Sequence, residues 1–470
     1  MVEKVLVLFW TDILIFLLVA LATLFALHAS RREHLRAPWR EVARSGVAMS
    51  ALVVLLVYVG IGLLDSIHYR PLSHYAENAA ETRYSGEALS VFDKLVSGLR
   101  ERSEKTYSAP FALHLYSRET VEESDGTRSR QYPRLVHGGA HLSNPDDRNM
   151  DIASIAIGAG IKATAAWGLI CLILAIAMAR RNGVGVRSSL RAMFVQRNAV
   201  NWRAMLVTLL VVMIVAWATL ALSGYYHILG TDKVGDDVFY QALKSIRTGL
   251  VIGTLTTLVM LPLAIVLGLM AGYFGRWVDD VIQYLYTTLN SIPSVLLIAA
   301  AILMLQVYLD NHAAEFASVA ERADLRLLFL CLILGVTSWT GLCRYLRAES
   351  LKLREVDYVQ AARALGAGHF AIIGRHILPN VMHIVLITVV LDFSGLVLAE
   401  AVLSYVQIGV DPTTHSWGNM INSARLEMAR EPIVWWSLAA AFIFMFSLVL
   451  AANLFSDAVR DAFDPRLRSR

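Results

Sequence analysis

Two carboxylates in this sequence stand where carboxylates are costly. Asp392 sits well inside the apolar run His383 to Leu403, and Glu400 lies nearer the far end of that run. An ionisable group at membrane depth normally faces protein or a water-filled path, so each is a candidate contact for a translocated cationic group or a member of a structural pair. Pro262 and Pro293 also fall within apolar runs. Each removes a backbone hydrogen bond and bends its helix, which suits a moving path and equally suits the setting of a packing angle. His68, His74, His114, His137 and His141 gather between residues 65 and 151. The last two have the spacing of ligands on one helix face, but Gly138-Gly139 between them opposes a helix, and no metal site is assigned. The chain has no Gly-Lys pair, hence no glycine-rich loop with a lysine to cradle phosphates. No residue set reads as catalytic.

The elements that hold these residues follow from composition and patterning. Of 470 residues, 56% are hydrophobic and 17% charged, and mean hydropathy is +0.54, too apolar for an ordinary soluble globule. The net charge of +4 is modest and the arginines cluster beside apolar runs, which assigns them to membrane topology and leaves no nucleic-acid role. Cys171, Cys331 and Cys343 are too few and too separated for a disulfide framework.

Runs long enough to cross about 30 Å of hydrocarbon occur at Val5 to Leu27, Gly46 to Leu64, Ile152 to Ala179, Met205 to Leu222, Leu250 to Tyr273, Tyr284 to Leu309, Leu327 to Leu346, His383 to Leu403 and Trp435 to Phe455. They predict nine helices and an all-α polytopic membrane protein. The first run is long enough to span and lacks a basic leading region and a small-residue cleavage pattern, so it reads as a retained span, not a signal peptide. Arginine-rich connections alternate with acidic or balanced ones. Arg31, Arg32, Arg36, Arg40 and Arg44 fill the first, Arg180, Arg181, Arg187, Arg191, Arg197 and Arg203 the third, and Arg344, Arg347, Lys352, Arg354, Arg363 and Arg375 the one before the eighth span. The positive-inside tendency then puts the amino terminus in the periplasm and the carboxyl terminus in the cytoplasm. Residues 65–151 fall outside as a small α/β periplasmic insert. Leu89, Phe92, Leu95, Val96 and Leu99 recur at helical spacing, Phe111, Leu113 and Leu115 alternate like a strand, and Asp125-Gly126 marks a tight turn.

The long cytoplasmic loop, residues 347–382, contains Glu355-Val356-Asp357-Tyr358-Val359-Gln360-Ala361-Ala362-Arg363-Ala364-Leu365-Gly366. Asp357 is placed as a helix N-cap, good helix formers follow, and Gly366 is a natural stop. A short helix across the cytoplasmic face results, with Val359, Ala362 and Arg363 on one side. Its small residues admit close approach of another protein, and its amphipathicity equally suits lying on the lipid.

Gln360-Ala361-Ala362, then Gly366, then Leu378-Pro379 resembles the cytoplasmic loop signature of bacterial ABC importer permeases. The motif usually opens with Glu where this chain has Gln360, and the general pattern has Ile where it has His376. Arg375-His376-Ile377-Leu378-Pro379-Asn380 is similar to the dipeptide and oligopeptide branch, C-type permeases included. Leu229-Gly230-Thr231-Asp232 with Gly235-Asp236-Asp237-Val238, Ala271-Gly272-Tyr273, Ile292-Pro293-Ser294, Leu403-Ser404-Tyr405, Gly409-Val410, Ser416-Trp417-Gly418-Asn419-Met420 and the tail Arg460-Asp461-Ala462-Phe463-Asp464-Pro465-Arg466 resemble that branch in order. Asp236 stands where Arg is common.

The resemblance covers about 191–470 and implies a type I ABC importer transmembrane domain with a six-helix core. Residues 1–190 lie outside it, adding three N-terminal transmembrane helices and the insert. It further implies a non-catalytic permease subunit of the bacterial inner membrane that moves peptides or peptide-like solutes by alternating access. Members of the branch carry dipeptides, longer peptides, peptide-like antibiotics or nickel. Implied partners are a second related permease, two ATPase subunits or domains that hold ATP and Mg, and a periplasmic solute-binding protein, with no cofactor on this chain. Asp357, Tyr358, Gln360, Ala361, Ala362, Arg363, Ala364, Leu365, Gly366 and Pro379 would form the ATPase-coupling helix and its exit, and Asp392, Glu400, Pro262 and Pro293 are the candidate path residues. Two other classes are weighed. An ion-gradient-driven secondary transporter needs its own coupling-ion site, at which only Asp392 hints; a membrane sensor with a periplasmic receptor domain lacks a sizeable cytoplasmic signalling domain.

Overall fold

The computed structural model describes residues 4–30, 33–71, 88–122, 128–195, 200–312, 315–316 and 318–463. Arg31, Arg32, His74, Asp125-Gly126, Arg197 and the tail residues Asp464, Pro465 and Arg466 lie outside them.

Lys-Val-Leu-Val at the start, with two β-branched residues, forms strand β1 (Lys4–Val7) instead of opening a span. Its backbone groups are taken up by an antiparallel ladder with β2 (His68–Pro71), which also pairs with β3 (Leu89–Ser90). The first helix, α1 (Trp10–Ser30), therefore starts later than the apolar run suggests, and its apolar stretch Trp10–Leu24 is short. Helix α2 (Glu33–Arg44) leads to α3 (Gly46–Asp65), capped by Ser45, whose side chain accepts from the Ala48 N–H.

The insert has short helices α4 (Val91–Leu95) and α5 (Ser97–Arg100) and the hairpin β4 (Glu119–Glu122) with β5 (Arg128–Gln131). Ser90 and Asp93 cap α4 reciprocally. The strand expected over Phe111, Leu113 and Leu115 is absent. Leu113 and Leu115 are buried, but only an isolated bridge joins His114 to Arg134, and Phe111 sits at φ 55°, which interrupts an extended chain. The insert shares one core with the rest of the molecule: Phe92, Val96, Leu99 and Tyr107 pack in the cluster that holds Phe239, Ile246, Trp417 and Trp436.

Next, α6 (Arg148–Asn182) and α8 (Trp202–Leu222) form an antiparallel pair with α7 (Val186–Val195) across one end. Trp167 Nε1 donates to the Leu206 carbonyl at 2.9 Å, fixing their register. Helix α9 (Val238–Phe274) is the central post, begun by Asp237, which accepts from the N–H groups of Phe239 and Tyr240. Pro262 lies inside it, as expected.

The expected span Tyr284 to Leu309 is two helices, α10 (Arg276–Ser291) and α11 (Ser294–Asn311). Pro293 is at their junction and bends no helix from within. Ile292 before it is extended (φ −92°, ψ 128°) because proline disfavours the helical region for the preceding residue. The remaining elements are α12 (Val319–Ser338), α13 (Thr340–Arg354), α14 (Asp357–Ala364), α15 (His369–Ile372), a π-turn over Ile373–Ile377, α16 (Leu378–Tyr405), α17 (Trp417–Glu427) and α18 (Trp436–Phe463). Among the described residues, eight helical segments are long and apolar enough to cross a membrane: α3, α6, α8, α9, α11, the α12–α13 unit, the α15–α16 unit and α18.

Close packing on α9 explains one sequence motif. A Cβ on Gly272 would sit 2.5 Å from the Arg347 carbonyl and 2.5 Å from Ser350 Cβ, so Ala271-Gly272-Tyr273 is the surface on which α13 lies.

Candidate functional site

Helix α14 projects from the end of the bundle where α9 finishes. Its stop is a Schellman motif: the Ala367 N–H donates to the Ala362 carbonyl and the Gly366 N–H to the Arg363 carbonyl, both at 3.0 Å, with Gly366 at φ +82°. Asp357 is the first helical residue and not the N-cap. Val356 holds the cap position without a side-chain bond, because Asp357 has already entered the helix; its negative charge still suits the positive end of the helix dipole.

The expected face of α14, Val359, Ala362 and Arg363, is graded in burial. Val359 is 2% exposed and packs among Leu269, Tyr273, Ile372, Ile377 and Val381, and half-buried Ala362 leans on the same cluster. Arg363, one turn after Val359, stands on the same side of the helix but is exposed at the edge of that face. The outward side presents Tyr358, Gln360, Ala361, Ala364 and Leu365, and Leu365 is 88% exposed. Phe370, on α15, is 83% exposed beside it. The sequence offered no periodic signal for Phe370, because α15 has only four residues.

The helix is tied to the bundle at several points. Gln360 Nε2 donates to the Arg354 carbonyl at 2.9 Å, and Asn380 Nδ2 donates to Tyr358 Oη at 3.1 Å. Tyr273 Oη and His369 Nδ1 lie 2.9 Å apart, joining the end of α9 to α15. Arg347 clasps Asp279 through two hydrogen bonds, Nη2 to Oδ2 at 2.7 Å, which holds α13 to α10. Pro379 stands in the first turn of α16, where its missing N–H costs nothing. The π-turn covers Arg375 and His376, the latter a position where the loop departs from the general pattern.

The candidate path residues separate. Glu400 is 1% exposed and accepts from Ser404 Oγ at 2.7 Å, so it belongs to the packing between α16 and α17. Asp392 is half-buried near the middle of α16 and makes no hydrogen bond or ion pair among the described residues. Among the described residues no group of three suitable ligands gathers: His141 Nε2 lies 2.9 Å from Asp151 Oδ2 and His68 Nδ1 lies 2.8 Å from Asp12 Oδ2.

At the opposite end of α9 lies a charge network that the sequence did not reveal. Arg247 Nη2 donates to Asp12 Oδ1 at 2.6 Å and lies 3.7 Å from Asp324 Oδ1. Lys244 Nζ donates to Asp65 Oδ1 at 2.6 Å and to Asp93 Oδ2 at 3.1 Å. Asp65, Lys244, Arg247 and Asp324 of this network line a cavity of about 420 Å³, with Phe9, His68 and His415 also on its wall. Nearby, His227 Nδ1 bonds Asp237 Oδ2 at 2.7 Å, and its Nε2 lies 3.4 Å from Glu104 Oε1. Burial pulls the imidazole pKa down, but Asp237 and Glu104 outweigh it and raise it to about 9. Burial pushes the Glu104 carboxyl up, yet His227 and the N–H groups of Val136, His137 and Gly138 bring it to about 2.

Helices packed on one long post, eight described segments of them long and apolar enough to cross a membrane, with a glycine-stopped helix standing proud of one end, define a multi-pass membrane protein. Known proteins agree. Residues 264–469 match the family described as binding-protein-dependent transport system inner membrane component. The glutathione transport system permease protein GsiD of Pectobacterium atrosepticum is 31% identical over 245 residues, 52% of this chain and 74% of that one. The oligopeptide transport system permease protein OppC of Mycobacterium tuberculosis is 31% identical over 246 residues, 52% of this chain and 78% of that one. The chain belongs to this family of inner-membrane ABC importer permeases, whose members are membrane subunits and generally non-catalytic.

Proposed function

We propose that the chain carries peptides or peptide-like solutes across the bacterial inner membrane by alternating access, driven by ATP hydrolysis in partner subunits. The observation that carries this reading is the surface of Tyr358, Ala361, Leu365 and Phe370, two of them large apolar side chains more than 80% exposed beyond a helix rigidly tied to α9, α13 and α16. Exposed apolar groups at that density mark a protein contact. An ATPase cleft closing on them moves α14 as a lever, and the ties transmit the movement to the spans.

The rest of the assembly follows the same reading. A second related permease, two ATPase subunits or domains that bind ATP and Mg, and a periplasmic solute-binding protein complete the importer, with no cofactor on this chain. With α1 as a ninth crossing beside the eight longer segments, the amino terminus is periplasmic and the carboxyl terminus cytoplasmic, so the insert 65–151 faces the periplasm and α14 the cytoplasm. Residues 191–470 form the permease domain and 1–190 an extension. Asp392 lines the path; its lack of a partner at membrane depth supports this, whereas burial of Glu400 supports a structural role. Peptide is favoured as solute class because the relatives are described as glutathione and oligopeptide permeases.

The test is ATP-dependent uptake of labelled peptide into proteoliposomes holding the chain with its partner permease, ATPases and binding protein. Uptake that requires ATP and disappears in Leu365→Glu supports the proposal. Uptake that follows an ion gradient without ATP overturns it in favour of a secondary transporter.

A further inference from the structure

The first helix is seated by polar groups. Among the described side chains of α1, Thr11 and Asp12 are buried and every apolar one is at least partly exposed. Leu14 and Ile15 lean half-buried on the cluster shared by α9 and α12, while Trp10, Leu17, Leu21 and Leu24 are exposed. Helix α3, by contrast, buries Met49, Val53 and Tyr58. An element with few buried apolar contacts is among the first to open locally.

Thr11 and Asp12 bridge two helices of the core. The Thr11 N–H donates to Asp324 Oδ2, on α12, at 3.2 Å, and the Thr11 hydroxyl donates to Asp324 Oδ1. Arg247, on α9, donates to Thr11 Oγ1 at 3.0 Å as well as to Asp12. His68 meets the other oxygen of Asp12, and from the same strand Arg70 Nη2 donates at 3.0 Å to Ser318 Oγ, the N-cap of α12. The attraction within a buried ionic contact is largely offset by the water that its members give up. Removing one member is therefore costly, but halves that part together and both regain water lose little.

The cavity of about 420 Å³ lies at this joint. Phe9, Asp65 and His68 bring the extension to its wall, and Arg247, Ala323 and Asp324 bring the core. Phe9 rests edge-on against His68, with ring centroids 4.8 Å apart, so the corner before α1 and the strand β2 form one piece of that wall. The wall divides where the polar joint does.

From the polar seat of α1 and the cavity beside it, we infer that the start of the first helix is a latch. Thr11 and Asp12 let go of Asp324 and Arg247, the Phe9 corner moves off α12, and the cavity opens to water at the end of α9 opposite α14. That transport needs this release rests on the importer reading; the latch itself does not.

The experiment has two arms. Ala323→Cys puts a thiol on the cavity wall, where the alanine is 9% exposed, and the native Cys171, Cys331 and Cys343 are buried. A membrane-impermeant maleimide should label this thiol slowly, and at least tenfold faster when Asp12→Asn is added. In the second arm Phe9→Cys and Ala320→Cys, both on the cavity wall, are joined by a reducible bifunctional thiol reagent in proteoliposomes holding the full chain with its partners. ATP-dependent uptake should fall at least tenfold on joining and return on reduction, while each single-cysteine chain keeps it. Labelling unchanged by Asp12→Asn, or full uptake in the joined protein, would each overturn the latch. Uptake absent from the parent chain, with labelling still faster in Asp12→Asn, would remove the importer reading and leave the latch standing.

Discussion

Arg247, on the central helix of the permease core, donates to Asp12, on the first helix of the chain, at 2.6 Å, and Asp12 is fully buried. The same carboxylate also meets His68 at 2.8 Å. The extension is thus locked to α9 by a buried ionic contact, and removing one member strands the other charge.

Arg247→Met leaves Asp12 and Asp324 without their cation. The expected loss is about 3–5 kcal/mol, as for breaking other buried pairs, read as a lower unfolding midpoint of the purified chain in detergent. Asp12→Asn combined with Arg247→Met should recover part of it, and a double variant no better than the single one would refute the pairing.

Leu365→Glu and Phe370→Asp alter groups that touch little of their own chain, so their unfolding midpoints should match the parent. Transport and ATPase recovery should each fall at least tenfold. Ala362→Trp is a poorer probe, because Ala362 leans on the Val359 cluster and overpacking there costs about 1–3 kcal/mol. A variant at Leu365 that keeps full transport would remove this surface from the coupling role.

The Glu104–His227–Asp237 clasp gives the insert a pH dependence. The imidazole titrates near 9 when folded and near 6.5 when exposed. Its raised value means that its stabilisation is whole below about 6.5 and is lost as pH climbs through about 9. Protease protection of the insert should therefore decline over that window, and His227→Gln should abolish the decline. Glu104, held down to about 2, acts oppositely, with stabilisation present above about 4.5 and lost as pH falls towards 2.

Asp392→Asn keeps the shape of α16 and removes the charge. If Asp392 meets the solute's cationic end, uptake of peptides with a free amino terminus should fall by about tenfold, the equivalent of ~1.4 kcal/mol, and amino-acetylated peptides should lose their disadvantage. Identical uptake by both proteins would release Asp392 from the path.

Gly272→Val should disturb the α9–α13 contact, since its Cβ has no room against Arg347 and Ser350. A cost of about 1–3 kcal/mol is expected, seen as a lower midpoint.

What could be read in the chain, and what could not, divides by sequence separation. The α14 helix was legible because its formers and its stop, Gly366, lie within ten positions, and the long apolar runs announced the spans. Pro293 was read as a kink because the residues on both sides of it are apolar; only the backbone shows that α10 ends before it. β1 was hidden inside an apolar run, since four residues without alternation carry no signal apart from their partner at His68–Pro71. The ionic network was invisible for the same reason: Thr11 bonds Asp324, 313 positions away, and no local pattern encodes such a meeting. Phe370 was passed over because an exposed aromatic in a four-residue helix has no period.

The Asp12–Arg247 contact also constrains the order in which the molecule is assembled. The two residues are 235 positions apart, so at ordinary synthesis rates the first helix waits on the order of tens of seconds before its counter-ion leaves the ribosome. During that interval it holds a carboxylate unpaired by Arg247, which favours a loosely seated helix that settles only when α9 and α12 arrive. The seating of the first helix is therefore a late event that waits on α9 and α12, long after β2, the partner of the amino-terminal strand, has been made.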